Sequence, residues 1–342
     1  MIKVNMNKLY LVTGATGHLG SVLAKTLINK KCKVRALILS GEEKYLPENV
    51  EYVVGDVCDS DSLKPFFNRD GYDYVALVHC AGIVSISSKY NPAIWKVNVE
   101  GTVNVLDKAL ENKIDRVIYV SSVHALPELK YPELIVETKE LSKDKVVGEY
   151  AKTKAEAARI ALSYADKGLN VSVVHPSGII GPGDIRHNNH SANSLKAMYE
   201  GKIPCVLPGG YDFVDVRDVV QGILQCIEQG KSNENYILSG HYLSVEDMLR
   251  ISRGLKNKKA SKFKAPLSLV KKIAPLVEWY TDNISKSKPL ITPYSIYTLQ
   301  SNARFSHVKA SETFGYKVRD INETIRDTVI DREIDYETDD CI

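Results

Sequence analysis

A doubly wound α/β fold is the class this 342-residue sequence predicts: a mostly parallel sheet with helices on both faces, and a smaller, mainly helical region towards the C-terminus. Three observations predict it. Short β-rich runs alternate with helical patterns over the first two-thirds of the chain, as βαβ units require. The runs are continuous in Val, Ile and Leu rather than alternating, which marks strands covered on both faces. A glycine-rich turn follows the first strand and opens the first helix.

The elements read in order as follows. Leu9–Gly14 is a buried strand, and an amphipathic helix runs from about Leu19 to Lys30. Lys33–Leu39 is the second strand, and Val50–Val57 contains the third. Asp73–Gly82 and Arg116–Ser122 are the fourth and fifth, separated by a helix from about Asn91 to Asn112. A further helix, from about Lys145 to Asp166, leads into a strand at Asn170–Pro176. Beyond Pro176 the pattern loosens, with one short helix among Pro and Gly breaks over 185–210, and mostly helix from about Ser244. Residues 1–176 are therefore expected to form the nucleotide-binding domain. Residues 177–342 are expected to be mainly substrate-binding, with returns to the sheet at about 211–240. The acidic tail Glu333–Ile342 is expected to fray.

Composition narrows the class of function. A formal charge of +3 argues against nucleic acid as a partner, since such binding needs clustered cations. The six cysteines are scattered without a CxxC pair or zinc spacing, and are expected to be free thiols in a reducing cytosol. His187-Asn188-Asn189-His190 has the wrong spacing for a helical metal pair, so no metal site is expected. The N-terminus enters a strand directly, and no apolar run approaches the roughly 20 residues a spanning helix needs. A cytoplasmic protein without a membrane span is expected, and a homodimer is compatible with the sequence. The Lys-rich stretch 256–288, with LVKKIAPLVEWYTDNI, fits a membrane-surface helix in principle. The plainer reading is a solvated basic loop and a pocket-covering helix.

Two groups of residues carry chemistry. Gly14, Gly17 and Gly20 in Thr13-Gly14-Ala15-Thr16-Gly17-His18-Leu19-Gly20 supply a tight turn, a close backbone approach and helix–sheet packing. A dinucleotide pyrophosphate requires all three beside a helix N-terminus. Tyr150 and Lys154, four apart in a helical segment, share one face, and Ser122 ends the fifth strand at the carboxyl edge of the sheet. A Tyr hydroxyl can exchange a proton with a carbonyl oxygen, but its ordinary pKa near 10 hinders return. A neighbouring ammonium favours the phenolate, and Ser122 would hold the substrate oxygen.

Together these residues resemble the extended short-chain dehydrogenase/reductase superfamily, in its epimerase/dehydratase group. Within it the chain is similar to the dihydroflavonol-4-reductase-like and 3β-hydroxysteroid-dehydrogenase-like branch. The likeness runs through TGATGHLG, Gly55-Asp56-Val57, His79-Cys80-Ala81-Gly82, Asn98-Val99-Glu100-Gly101-Thr102 and the stretch from His175 to Gly183. It continues through Phe213–Val219 and Phe314-Gly315-Tyr316. The resemblance implies a Rossmann-type sheet and a bound NAD(P). It implies cofactor contacts from Gly14, Thr16, Gly17, His18, Leu19, Gly20, Asp56, Val57, Cys80, Ala81, Gly82, Asn98, Tyr150, Lys154, His175, Pro176 and Ser177.

The departures from the family pattern bear on substrate and cofactor. Sugar-nucleotide enzymes of the group carry an Arg where Tyr211 stands, which argues against a diphosphate substrate. Ser122 is followed by Val123-His124-Ala125 rather than an acidic pair, which argues against dehydration. Substrate contacts are expected from Ser122, His124, Tyr150 and Tyr211. The second strand ends Leu39-Ser40-Gly41 without an acid for the ribose 2′-hydroxyl. Ser40 and Lys44 are then placed to hold a 2′-phosphate, so NADP is favoured over NAD. The leading expectation is a reductase of a small-molecule ketone or aldehyde, acting in either direction. A sugar or nucleotide-sugar epimerase with retained cofactor is the alternative enzyme, and a cofactor-sensing binding protein the alternative outside catalysis.

Overall fold

The computed structural model describes residues 6–69, 71–203, 205–285 and 291–330; the acidic tail lies outside them. Ten strands occur in chain order: β1 (Lys8–Thr13), β2 (Lys33–Ile38), β3 (Glu51–Val54), β4 (Tyr74–His79), β5 (Arg116–Val120), β6 (Val171–Pro176), β7 (Gly178–Ile180), β8 (Gly210–Asp215), β9 (Glu234–Leu238) and β10 (His241–Ser244). Seven of them form a parallel sheet in the order β3-β2-β1-β4-β5-β6-β9. The strand order reverses between β1 and β4, which opens a crevice at their carboxyl ends where ligands of such sheets bind.

The helices between β1 and β6 are α1 (His18–Asn29), α2 (Pro92–Trp95), α3 (Gly101–Glu111) and α4 (Glu149–Ser163). Later come α5 (His190–Glu200), α6 (Val216–Gln229), α7 (Val245–Gly254) and α8 (Leu267–Tyr280). The chain closes with α9 (Pro293–Gln300), α10 (Val308–Phe314) and α11 (Ile321–Ile330). The continuous apolar strands are explained by two cores. Leu9 and Leu11 point to one face, with Leu106 and Ala157, while Tyr10 and Val12 point to the other, with Leu23 and Val219. Full burial of each such side chain contributes roughly 1.5–3 kcal/mol, so both faces must be apolar.

Three local features depart from the expected pattern. The helix expected over 91–112 is interrupted by a π turn at Lys96–Glu100. There the helix presses on the loop after β3 so closely that a methyl group at Gly101 would lie 2.7 Å from Val57 Cγ2. Within the stretch expected to return to the sheet, β9 does so, but β8 is the middle strand of a separate three-stranded sheet. It pairs antiparallel with β10 and parallel with β7, strands of four and three residues, too short to show a period in sequence. Cys32 is disulfide-bonded, against the expectation of free thiols, whereas Cys58, Cys80, Cys205 and Cys226 are free.

The Phe213–Val219 motif is structural in its charged part. The Asp215 side chain accepts from Arg217 N at 2.8 Å, capping α6, and pairs with the Arg217 guanidinium at 2.7 Å. Arg217 also reaches Asp327 on α11 at 3.0 Å, tying the last described helix to α6. Among the described residues no helix is long and apolar enough to cross a membrane.

Candidate active site

The glycine turn closes as the sequence requires. Gly14 takes φ +69°, and a methyl group there would lie 2.8 Å from Ala81 N; at Gly20 one would lie 2.1 Å from Gly14 O. Both positions exclude every other residue, because the clashing atoms are backbone. Gly17 caps α1 with no side-chain hydrogen bond, so the first turn of the helix keeps backbone N–H groups for an anion. The crevice thus has the small cradle and the positive helix end that a pyrophosphate needs. Leu19 lies in that first turn.

Residues around the turn divide into those that face the crevice and those whose polar atoms are engaged elsewhere. Ala81 and Cys80 follow β4 beside Gly14, and Gly82 lies so near Lys154 that a methyl group would stand 3.5 Å from Nζ. Asp56 is exposed, its carboxylate accepting from Cys58 N at 2.8 Å, and Val57 is buried. Asn98, in the π turn, has its amide engaged: it accepts from Ile83 N at 2.7 Å and donates to Ile83 O and Thr153 Oγ1. It anchors the loop after β4 to α4. His18 shares hydrogen bonds with Pro182 O at 3.0 Å and Asn189 Nδ2 at 2.9 Å, so both ring nitrogens hold the loop after β7 against the turn. His175 is buried with Nδ1 on Ser122 O at 3.1 Å; Pro176 and Ser177 beside it are buried too.

At the end of β2, Ser40 and Lys44 are exposed, with the Lys44 ammonium 5.0 Å from the Tyr45 ring centroid. Two residues that sequence reading did not single out stand between them and the glycine turn. Glu42 accepts a hydrogen bond from Thr16 Oγ1 at 2.7 Å and is ion-paired with Arg186. Burial of Glu42 works against its charge, but Thr16 and Arg186 outweigh it and hold the carboxyl below its ordinary range. A charged acid therefore does face this corner, three residues beyond Leu39, where the family pattern gives no reason to seek it.

Ser122, Tyr150 and Lys154 converge at the carboxyl edge of β5, all buried. Ser122 stands two residues past the end of β5 and accepts from His124 N at 3.3 Å, starting a short 3₁₀ turn. Tyr150 and Lys154 occupy one face of α4, which begins at Gly148 with φ +98°. Burial pushes the Tyr150 phenol up to about 12, and the neighbouring Ser122 hydroxyl pulls the other way. Burial lowers Lys154 to about 8, with Cys80 opposing. The Lys154 ammonium donates to Val120 O at 2.9 Å and Tyr119 OH at 3.5 Å. It is thus placed between the ends of β4 and β5, not on the Tyr150 hydroxyl.

Above Tyr150 stands a wall of rings. His124 lies edge to face with Tyr150, ring centroids 5.9 Å apart, and stacks on Tyr211 at 5.5 Å. His124 Nε2 shares a hydrogen bond with Tyr211 OH at 3.0 Å, and Nδ1 with Tyr294 OH at 3.4 Å. Burial lowers the imidazole to about 4, so it is neutral between two phenols. Tyr294 comes from α9, and its ring lies so close to Gly148 that a methyl group there would meet it at 2.2 Å. Beside Tyr294 a cavity of about 320 Å³ opens between Ser87, Val147, Glu149, Lys152 and Tyr297.

A dinucleotide cradle at the switch point and a Ser–Tyr–Lys set on the adjacent strand and helix define an extended short-chain dehydrogenase/reductase. The chain belongs to the NAD dependent epimerase/dehydratase family, whose pattern matches residues 10–239. It is 29% identical over 309 residues to the sterol demethylase protein B of Methylococcus capsulatus, covering 89% of this chain and 92% of the other. It is 27% identical over 332 residues to a dihydroflavonol 4-reductase-like protein of Synechocystis sp., covering 95% of each. Among solved structures, gox2253 superposes with a TM-score of 0.80 at 29% identity, covering 94% of this chain and 97% of the other. The Thermus thermophilus UDP-glucose 4-epimerase in complex with NAD shares the fold, with a TM-score of 0.72 at 19% identity over 94% of this chain and 98% of that one.

Proposed function

We propose that the protein is an NAD(H)-linked oxidoreductase that interconverts an uncharged, hydrophobic ketone or aldehyde and its alcohol. The observation that carries this reading is the wall over Tyr150. Tyr211, His124 and Tyr294 are neutral rings bonded to one another, and a diphosphate needs charge-assisted partners there. Two relatives are named for a sterol and a dihydroflavonol, neither of them a nucleotide sugar. The nicotinamide, when bound, supplies or takes up the hydride. In reduction the Tyr150 hydroxyl gives its proton to the substrate oxygen, and Ser122 holds that oxygen by a hydrogen bond. Lys154, from its seat on Val120 O, serves the ribose hydroxyls and favours the phenolate that must be reprotonated. Thermal-shift measurements in saturating cofactor test the substrate class. UDP and UDP-glucose are expected to leave the melting temperature unchanged, and a rise of several degrees would mean that cations converge on a diphosphate.

Ser40 and Lys44 favour NADP in sequence, whereas the corner around Glu42 supports NAD, which we propose as the cofactor. The ribose of the adenosine half would be held between the first turn and the end of the second strand, as in folds of this kind. Glu42 stands in that corner, on Thr16, as a carboxylate. It can accept hydrogen bonds from ribose hydroxyls, whereas a 2′-phosphate would meet a like charge. Arg35, the one arginine of β2, faces elsewhere, donating to Glu51 and to the carbonyls of Phe66 and Asn68. NADH is therefore expected to bind more tightly than NADPH in a fluorescence titration. Glu42→Gln is expected to tighten NADPH about tenfold, ~1.4 kcal/mol, by leaving Arg186 and Lys44 to a phosphate. NADPH preference in the unaltered protein would overturn the assignment.

A further inference from the structure

Helix α8 is built the wrong way round for a helix that only covers a pocket. Its fully buried side chains are Ala274 and Glu278, a methyl group and an acid. Glu278 accepts from Ser87 Oγ at 3.1 Å and Ser88 N at 2.8 Å, which fixes the helix to the loop after β4. The large apolar residues point the other way. Leu269, Ile273, Leu276 and Tyr280 are 51%, 45%, 66% and 51% exposed, and Ile284, in the turn that follows, is 56% exposed. At 100° per residue these five fall within an arc of about 80°, opposite the Ala274–Glu278 edge. Trp279 and, just upstream, Phe263 are exposed beside the stripe. Lys271 and Lys272 on the helix, and Lys258, Lys259 and Lys262 before it, are exposed as well.

We propose that α8 is a docking face for an anionic lipid bilayer, lying in the headgroup layer with its Leu269–Ile284 stripe inserted. An apolar stripe edged by Trp279 and Lys272, with Lys258, Lys259 and Lys262 leading into the helix and Lys271 on the far side, is the pattern of an in-plane amphipathic helix. At 14 residues the helix is too short to span a bilayer, so the chain rests on the surface. A second copy of the chain is the poorer occupant: a twofold interface on this stripe would set each copy's lysines against those of the other. Docking would also bring the loop held by Glu278, and through it α9 and Tyr294, to the lipid boundary. Thr292 donates to Ile86 O at 2.7 Å and Tyr294 N to Ser88 Oγ at 3.3 Å. An apolar substrate could then pass from lipid to the cleft, but the docking stands on the helix itself and not on the substrate assigned above.

Co-sedimentation of the full chain with phosphatidylcholine vesicles, with and without 30% phosphatidylglycerol, tests the proposal. Binding to the anionic vesicles is expected, at least tenfold weaker to the neutral ones, and lost in both Leu276→Asp and the Lys262→Glu/Lys272→Glu pair. These positions are exposed, so cofactor affinity and melting temperature should stay as in the parent. Trp279 emission should shift to the blue on anionic vesicles, a signal that Trp279→Phe removes and that needs no destabilising variant. No binding to either vesicle, equal binding to both, or binding that survives Leu276→Asp overturns the proposal. So does a dimer in solution that Leu276→Asp converts to a monomer, which would make the stripe an interface between copies.

Discussion

Tyr150→Phe is expected to lower kcat by about 10²–10⁴-fold, the contribution of a positioned general acid, with cofactor affinity within about twofold of the parent. The phenol is the one group over the candidate site that is both buried against Ser122 and protonated throughout the working pH range, since burial holds it near 12. The ring keeps its packing in the variant: its edge contact with His124, 5.9 Å between centroids, does not involve the hydroxyl. The variant loses a single hydroxyl and no packing, which costs at most about 1 kcal/mol and should not unfold it. Single-turnover and steady-state rates with the best substrate found measure the effect. Turnover within tenfold of the parent would show that the proton comes from elsewhere.

Lys154→Met is expected to reduce kcat about 100-fold and to weaken NADH about tenfold, ~1.4 kcal/mol. Both effects follow from where the ammonium sits. It lies beside Gly82 and the end of β4, where the cofactor ribose is expected, and one turn of α4 from Tyr150. Burial brings its pKa down to about 8, yet at neutral pH roughly nine in ten remain charged. The charge therefore remains available to favour the phenolate once the proton has left. Met preserves the apolar stem of the side chain while removing the donor to Val120 O, so a small loss of melting temperature should accompany the kinetic one. Equilibrium titration of NADH separates the two roles. A fall in rate with unchanged NADH affinity would remove the ribose contact from the account.

What could be read in the sequence was what is local. The glycine turn, the helix face shared by Tyr150 and Lys154, and the apolar strands are each set by neighbours within about eight residues, so their spacing carries the signal. The wall over Tyr150 is different. Tyr294 joins His124 from 170 residues away, and nothing in its own segment marks it; the only local signal is Pro293 opening a helix. Arg186 and Glu42 pair across 144 residues, and Glu42 lies four residues beyond the end of β2, so the sequence around the strand does not mark it. The π turn at 96–100 leaves no mark on the apolar spacing of its segment, so helical periodicity cannot register it. The apolar stripe of α8 was visible as a period, but a period does not say which face turns inward, and here it is the face bearing Glu278.

Net hydride transfer is the heart of the proposal: from the cofactor to a hydrophobic ketone or aldehyde, or to the cofactor from the corresponding alcohol. Following nicotinamide absorbance with NADH and a panel of hydrophobic ketones and aldehydes, beside UDP-glucose and UDP-galactose, tests it most directly. The account predicts steady consumption of NADH with at least one ketone or aldehyde, abolished in Tyr150→Phe, and none with the UDP-sugars. Interconversion of UDP-glucose and UDP-galactose with no net change in absorbance would contradict it.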